Sequence, residues 1–179
     1  AGEVFQNTGT SSLSIEGGYA AGCVTRTVNA ANTTIDFGGS GVRFQLSGGS
    51  SFLGFDGLTL SHGNGLLLLA GTYHDLVAND SGSVSLSNVR VTGFSGNAAD
   101  AQDPYHQPAG IYAVDGTLTL RNVQFDHLSQ VGASPCDVVL GPDGDVNGLL
   151  DFVTADLSGD KDLCIATGQA KSGNFQFNI

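Results

Sequence analysis

The sequence predicts an all-β solenoid whose strands stack in parallel from one turn to the next, and three observations carry that prediction. The first is a four-position apolar signature that recurs with the same slip of phase: Leu53/Phe55/Leu58/Leu60, Val84/Leu86/Val89/Val91, Leu118/Leu120/Val123/Phe125 and Leu150/Phe152/Ala155/Leu157. Within each half the apolar residues alternate, as a strand with one buried face requires; between halves the spacing is three, so one extra residue occupies a corner. The second is the interval, with steps of 31, 34 and 32 residues from Leu53 through Val84 and Leu118 to Leu150, a period that marks stacked repeats. The third is residue type. β-branched and aromatic residues in period-two alternation, bounded by Gly, Asn, Asp and Ser, exclude helical repeats of similar length. Equivalent residues then lie ~4.8 Å apart in continuous apolar columns, and about six turns use the whole chain.

Each element follows from the same rules. Residues 1–50 form irregular N-terminal coils, in which Leu13/Ile15, Ile35/Phe37 and Val42/Phe44/Leu46 alternate like strands between glycine bends. Residues 51–160 form the regular coils, with corners at Gly57, Asn88, Asn122 and Thr154. Gly and Asn enter left-handed backbone cheaply, so Gly57, Asn88 and Asn122 suit a sharp bend and Thr154 suits it less. Leu66 to Ala70 is a short buried strand, and the polar stretches 71–82 and 97–110 are loops on one face, where solenoids commonly bind. Residues 161–179 form a C-terminal coil or cap ending in the alternating Phe175, Phe177 and Ile179. The whole, 1–179, is expected as a single domain, either capped at its end or one section of a longer helix.

The stretches "SIEGGYAAGCVTRTVNAANTTIDFGGSGVRFQLSGGSSFLGFDGLTLSHGNG", "SVSLSNVRVTGFSGN" and "AGIYAVDGTLTLRNVQF" resemble the right-handed parallel β-helix of bacterial surface proteins. That is the broad pectin-lyase-like group, which includes polymorphic outer-membrane and autotransporter-type passengers. The resemblance covers residues 12 to 128 well and the remainder through the fourth quartet. It implies the right-handed β-helix fold and leaves function among adhesins, structural stalks and polysaccharide-degrading enzymes.

Composition narrows this. Six Lys plus Arg against 17 Asp plus Glu give a net charge of −11, which repels nucleic acid and anionic membrane surfaces. Asp outnumbers Glu 15 to 2, as in a protein of turns, where Asp bends and caps the backbone. No apolar run is long enough for a membrane-spanning helix. The chain opens on Ala and contains no Met, so a processed or excised product is expected, with any targeting peptide already gone, extracellular or on a bacterial surface. Cys136 and Cys164 flank the fourth quartet within one repeat of each other; they are either a disulfide stapling the last coil, or two buried thiols. Cys23 lacks a sequence partner and a local base, which reads as filler and not as a nucleophile.

Two ligand patterns stand out. Asp143, Asp145, Asn147, Gly148 and Asp151 match the opening positions of an oxygen-rich calcium loop, but position twelve is Thr154 where a bidentate Glu is expected. A solvated acidic turn is the competing reading, since Asn147-Gly148 aligns with Asp115-Gly116. In the loops, Tyr73, His74, Tyr105 and His106, with Tyr112, offer apolar faces and polar tips beside Asp100 and Asp103, a combination that suits sugar rings. His62 and His127 occupy equivalent places, with Gly93 between them, two rungs or ~9.6 Å apart, too far to share a metal ion.

A polysaccharide hydrolase would need two carboxylates across a groove, ~5 to 9.5 Å apart. The outward columns read Gly54/Ser85/Thr119/Asp151, Thr59/Arg90/Gln124/Asp156 and Ser61/Thr92/Asp126/Ser158, with no two acids adjacent; Arg121, between Ser87 and Val153, lacks an acid for lyase chemistry. The expectation is therefore a non-catalytic module with a structural, adhesive or assembly role, binding glycan or another surface protein through loops 71–82 and 97–110. The competing expectation is a polysaccharide lyase or glycoside hydrolase with its groove beside 97–110.

Overall fold

A computed structural model describes the backbone of residues 3–7, 12–39, 42–46, 52–63, 66–69, 82–94, 110–128, 136–155, 162–164 and 173–178, and the side chains of 12–39, 52–63, 83–94, 117, 119–128 and 149–154. It is built of strands, and the one helical piece among the described residues is a 3-10 turn at Ala30–Asn32. Among the described residues every pairing between strands is parallel, and the pairings form three ladders. The first joins β1 (Glu3–Asn7), β4 (Val42–Leu46), β7 (Leu66–Leu69), the start of β9 (Gly110–Asp126), the start of β10 (Cys136–Ala155) and β11 (Asp162–Cys164). The second joins β2 (Ser12–Glu16), β5 (Phe52–Asp56), the start of β8 (Gly82–Thr92), the middles of β9 and β10, and β12 (Gly173–Asn178). The third joins β3 (Thr34–Asp36), β6 (Thr59–Ser61) and the ends of β8, β9 and β10. Each ladder takes its members in chain order. Because β8, β9 and β10 run through the bends, the ladders merge into one twelve-stranded sheet whose path stays open, from β1 at one end to β2 at the other.

Alternation explains which residues face the core. In the second ladder Leu13, Leu53, Val84 and Leu118 share a column, and Ile15, Phe55, Leu86, Leu120 and Leu150 share the next. In the third, Ile35, Leu60, Val91 and Phe125 align. Leu53, Phe55, Leu58, Leu60, Leu86, Val89, Val91, Leu120, Val123 and Phe125 are all buried, and burying each such side chain contributes ~1.5–3 kcal/mol over leaving it in water. Phe94 closes the side of this core edge-on to Phe37, with ring centroids 5.9 Å apart.

The corners adopt the expected backbone at Gly57, Asn88 and Asn122, with φ of 67°, 53° and 51°. Their side chains add a ladder of their own: Asn122 Nδ2 donates to Asn88 Oδ1 at 2.9 Å, and Asn88 Nδ2 donates to Asp56 Oδ1 at 2.8 Å. The fourth corner is a correction. Leu150 pairs with Leu120 and not with Leu118, Gly148 takes the place opposite Leu118, and the corner falls on Phe152, with φ 53°, not on Thr154, which pairs with Gln124. The rung thus sits two residues from the expected register, and ahead of it the offset between β9 and β10 changes by one residue at an irregularity between Asp143 and Val146. A slip of two keeps every side chain on its own face, so alternation alone does not fix it. Here it buries Leu150 and leaves the Phe152 side chain 62% exposed.

A second column of left-handed residues turns the chain after the third ladder, at His62, Gly93 and His127, with φ of 52°, 66° and 50°. Between β2 and β3 the chain makes an excursion, residues 17–33, in which Tyr19 and Arg26 form an antiparallel bridge. It is anchored by Gly18 N–H to Thr33 Oγ1 at 2.8 Å and by Thr59 Oγ1 to the Ala30 carbonyl at 2.8 Å.

Candidate functional site

The polar chemistry among the described side chains gathers at the two corner columns. At the first, β2 and β5 set Glu16 directly opposite Asp56 on adjacent rungs, a pair of acids that the sequence columns, begun at the second rung, did not include. Two carboxylates so close repel unless a cation intervenes. The excursion supplies one: Arg26 Nη2 lies 2.7 Å from Asp56 Oδ2, and its Nε lies 3.9 Å from Glu16 Oε2. The same guanidinium donates to the Gly17 and Asp56 carbonyls and sits 5.6 Å from the centre of the Tyr19 ring, whose hydroxyl donates to Glu16 Oε2 at 2.8 Å. Burial pushes the Asp56 carboxyl up, but hydrogen bonds from Asn88 and Arg26 and the Arg26 charge outweigh it and hold the group below the usual range. The bond to Glu16 raises the Tyr19 hydroxyl. Asp56 is therefore held as an anion, which suits ion pairing and not proton donation.

The second cluster centres on Asp126, buried to 2% exposure. Arg90 grips it with both arms of the fork, Nε to Oδ2 at 2.7 Å and Nη2 to Oδ1 at 3.0 Å; Thr92 Oγ1 donates to Oδ1, and His127 Nδ1 lies 2.8 Å from the same oxygen. Desolvation pushes this carboxyl up, and the hydrogen bonds from Arg90, Thr92 and His127 together with the Arg90 charge override it, bringing the value to about 2. The Arg90 side chain is itself 42% exposed, so the desolvation is partial. Three rungs from Asp126, Asp36 Oδ2 lies 3.0 Å from His62 Nδ1, and its carboxyl is lowered by the Gly38 N–H and by His62. Each imidazole thus turns Nδ1 to a carboxylate, the contact that orients a histidine ring. The His62 ring also lies over Gly93, where an added Cβ would stand 2.9 Å from its Cδ2.

A third arginine, Arg121, pairs its Nε with Asp151 Oδ2 at 3.3 Å, and this contact corrects the outward columns. Asp151 follows Asp56, Ser87 and Arg121, not Gly54, Ser85 and Thr119, while Thr154 and not Asp156 follows Thr59, Arg90 and Gln124. Arg121 does have a carboxylate neighbour. The column Ser61, Thr92 and Asp126 stands as read, Ser158 lying outside the described residues, and it is largely covered: Ser61 and Asp126 are buried.

The remaining sequence candidates fare differently. Tyr73, His74, Asp100, Asp103, Tyr105 and His106 lie outside the described residues. Asp143, Asp145 and Asn147 fall on the extended backbone of β10, Asp143 opposite Val114 and Asn147 opposite Thr117, and their side chains lie outside the described set; Asp151 is engaged by Arg121. Among the described residues no three of His, Cys, Asp and Glu converge to hold a metal ion. Cys136 stands opposite Asp162 and Cys164 opposite Val139, offset along the paired strands, with side chains outside the described set. Cys23 is a free, exposed thiol. Among the described residues no helix is long and apolar enough to cross a membrane. No family model, no curated relative and no solved structure matches the chain.

Sequence reasoning missed both clusters. Arg90 and Asp126 were present in neighbouring columns, but they meet diagonally, Arg90 opposite Gln124 and Asp126 two residues on, a contact that reading one column at a time overlooks. Arg26 carried no periodic signal.

Proposed function

We propose that the chain is a right-handed parallel β-helix of about six coils, acting as a non-catalytic extracellular or cell-surface module with a structural, adhesive or assembly role. The observation that carries the reading is the order of the ladders: the chain visits the first, second and third in turn, from β1–β2–β3 through β10, and returns to the first and second at β11 and β12. A coil of three strands per turn is the connection that yields such an order with every pairing parallel. Handedness follows from the resemblance and from the usual hand of parallel crossovers. The non-catalytic part is supported by the acids themselves. Asp56, Asp126 and Asp151 each pair with an arginine; Asp56 and Asp126 are held ionised there, and an acid so held is a poor proton donor to a leaving group. Loops 71–82 and 97–110 are proposed to carry glycan or surface-protein binding.

The test is to probe the purified chain on a glycan array and to incubate it with polysaccharides. Binding without turnover, lost on Asp103→Ala or Tyr105→Ala, is the expected result. Release of new reducing ends or unsaturated products, abolished by Asp103→Ala, overturns the non-catalytic reading in favour of a carbohydrate-active enzyme.

A further inference from the structure

The two ends of the second ladder match each other. Among the described residues β2 is paired on one edge only, to β5, and β12 on one edge only, to β10. Such edges present a row of unpaired backbone donors and acceptors. Leu13 in β2 occupies the column of Leu53 and Val84, yet it is 40% exposed where they are 1% and 2%. Ile15, next on that face, is half-buried. At the other end the same two columns reach Phe175 and Phe177, opposite Gly148 and Leu150.

We propose that the β2 edge receives the β12 edge of a second copy of this chain, head to tail, so that stacking runs on from one molecule to the next. This deepens the assembly role and rests on the coil reading above. The argument is register. All pairings in the ladder are parallel, so moving a copy along the stack sets Asn174 opposite Ser12, Phe175 opposite Leu13, Gln176 opposite Ser14, Phe177 opposite Ile15 and Asn178 opposite Glu16. Both apolar columns continue, and no like charges face each other. The excursion leans on the second rung, with Arg26 and Val28 3.3 and 3.4 Å from where a Cβ on Gly57 would stand, and among the described residues no strand pairs with the other edge of β2. The two surfaces of the contact differ, so it does not close on itself and yields chains of copies. The charge of −11 on each copy opposes stacking, and salt relieves that repulsion.

Sedimentation velocity over a concentration series tests this. For the native chain the mass is expected to rise with concentration and with salt. Leu13→Asp and Phe177→Asp each spoil one end, so each alone is expected to stay monomeric, with self-association weakened at least tenfold; mixed in equal amounts they should form dimers and nothing larger, since one intact end of each kind remains. Leu13→Ser replaces Leu13→Asp if circular dichroism shows that aspartate unfolds the chain. A native chain that stays monomeric throughout, variants that associate like the native chain, or a mixture that stays monomeric overturns the proposal. A paired Ser85→Cys and Thr119→Cys variant, with the three native cysteines replaced by serine, separates the two levels, because these residues are register partners at a spacing that a disulfide spans. If it closes within one chain while the native protein stays monomeric, stacking fails and the coil stands. If it does not close, the coil reading itself fails.

Discussion

Asp126→Asn isolates what one buried charge contributes to holding two rungs together. The native carboxyl titrates at about 2 against an ordinary 3.8, a difference of nearly two pH units, and each unit corresponds to ~1.4 kcal/mol between the charged and neutral forms. The ionised group therefore adds ~2 kcal/mol to native stability near neutral pH. Its folded value is depressed, so the contribution is complete above about pH 4 and is lost as the pH falls through about 2. Asparagine keeps the shape and one acceptor oxygen but not the charge. The expected cost is ~2 kcal/mol at pH 7, read from urea unfolding by far-UV circular dichroism, since the chain has no Trp to report by fluorescence. That cost should hold steady down to about pH 4 and shrink toward pH 2. Arg90→Gln should cost at least as much, because it strands a buried carboxylate, whereas removing the acid releases a guanidinium that already reaches water. A cost that persists undiminished at pH 2, or one below ~0.5 kcal/mol at neutral pH, refutes the reasoning.

Three further outcomes follow from the geometry. Phe152→Asn should stabilise the chain by ~0.5–1 kcal/mol, because an exposed phenylalanine at φ 53° gives way to a residue that tolerates that backbone, whereas Thr154→Asn, on a strand, should destabilise it by a few tenths; the opposite signs would restore the corner to Thr154. Gly63→Ala drives a methyl into the buried Phe94 ring and should cost ~1–3 kcal/mol in chemical denaturation, typical of overpacking; a neutral effect would mean that Phe94 does not pack there. Millimolar calcium or a chelator should leave the melting temperature unchanged, given that Asp151 is engaged by Arg121, and a rise of several degrees with calcium would identify a bound cation at Asp143, Asp145 and Asn147.

Strand placement was legible because alternation is enforced by burial: Leu53, Phe55, Leu86 and Leu120 have no other face to occupy. The corners were legible where Gly57, Asn88 and Asn122 meet the need for left-handed backbone. Phe152 was not, because nothing in an aromatic residue signals that conformation, and a shift by two leaves the alternation intact. The second corner column was half visible. Gly93 standing in place of a histidine between His62 and His127 is what a left-handed position allows, and histidine is one of the side chains enriched there. Its meaning was lost because the imidazoles drew attention to metal chemistry instead of backbone. The excursion at 17–33 carries no period at all; its position depends on single polar contacts from Arg26, Thr33 and Thr59.

Charge placement gives that excursion a physical reason. Stacking rungs ~4.8 Å apart puts equivalent side chains in register, so an acidic chain built this way must keep its carboxylates from facing one another or place cations between them. One column meets the demand by separation, running Asp36, Ser61, Thr92, Asp126 with hydroxyls between the acids. Its neighbour runs Glu16, Asp56, Ser87, Arg121, Asp151, with Arg121 set against the acid at one end. At the other end Glu16 and Asp56 are adjacent, with no basic residue next to them in the column, and there the chain leaves the stack and brings Arg26 between them. The three arginines with described side chains thus each oppose a carboxylate; the repeat itself places Arg90 and Arg121, and the excursion is the length of chain that delivers Arg26.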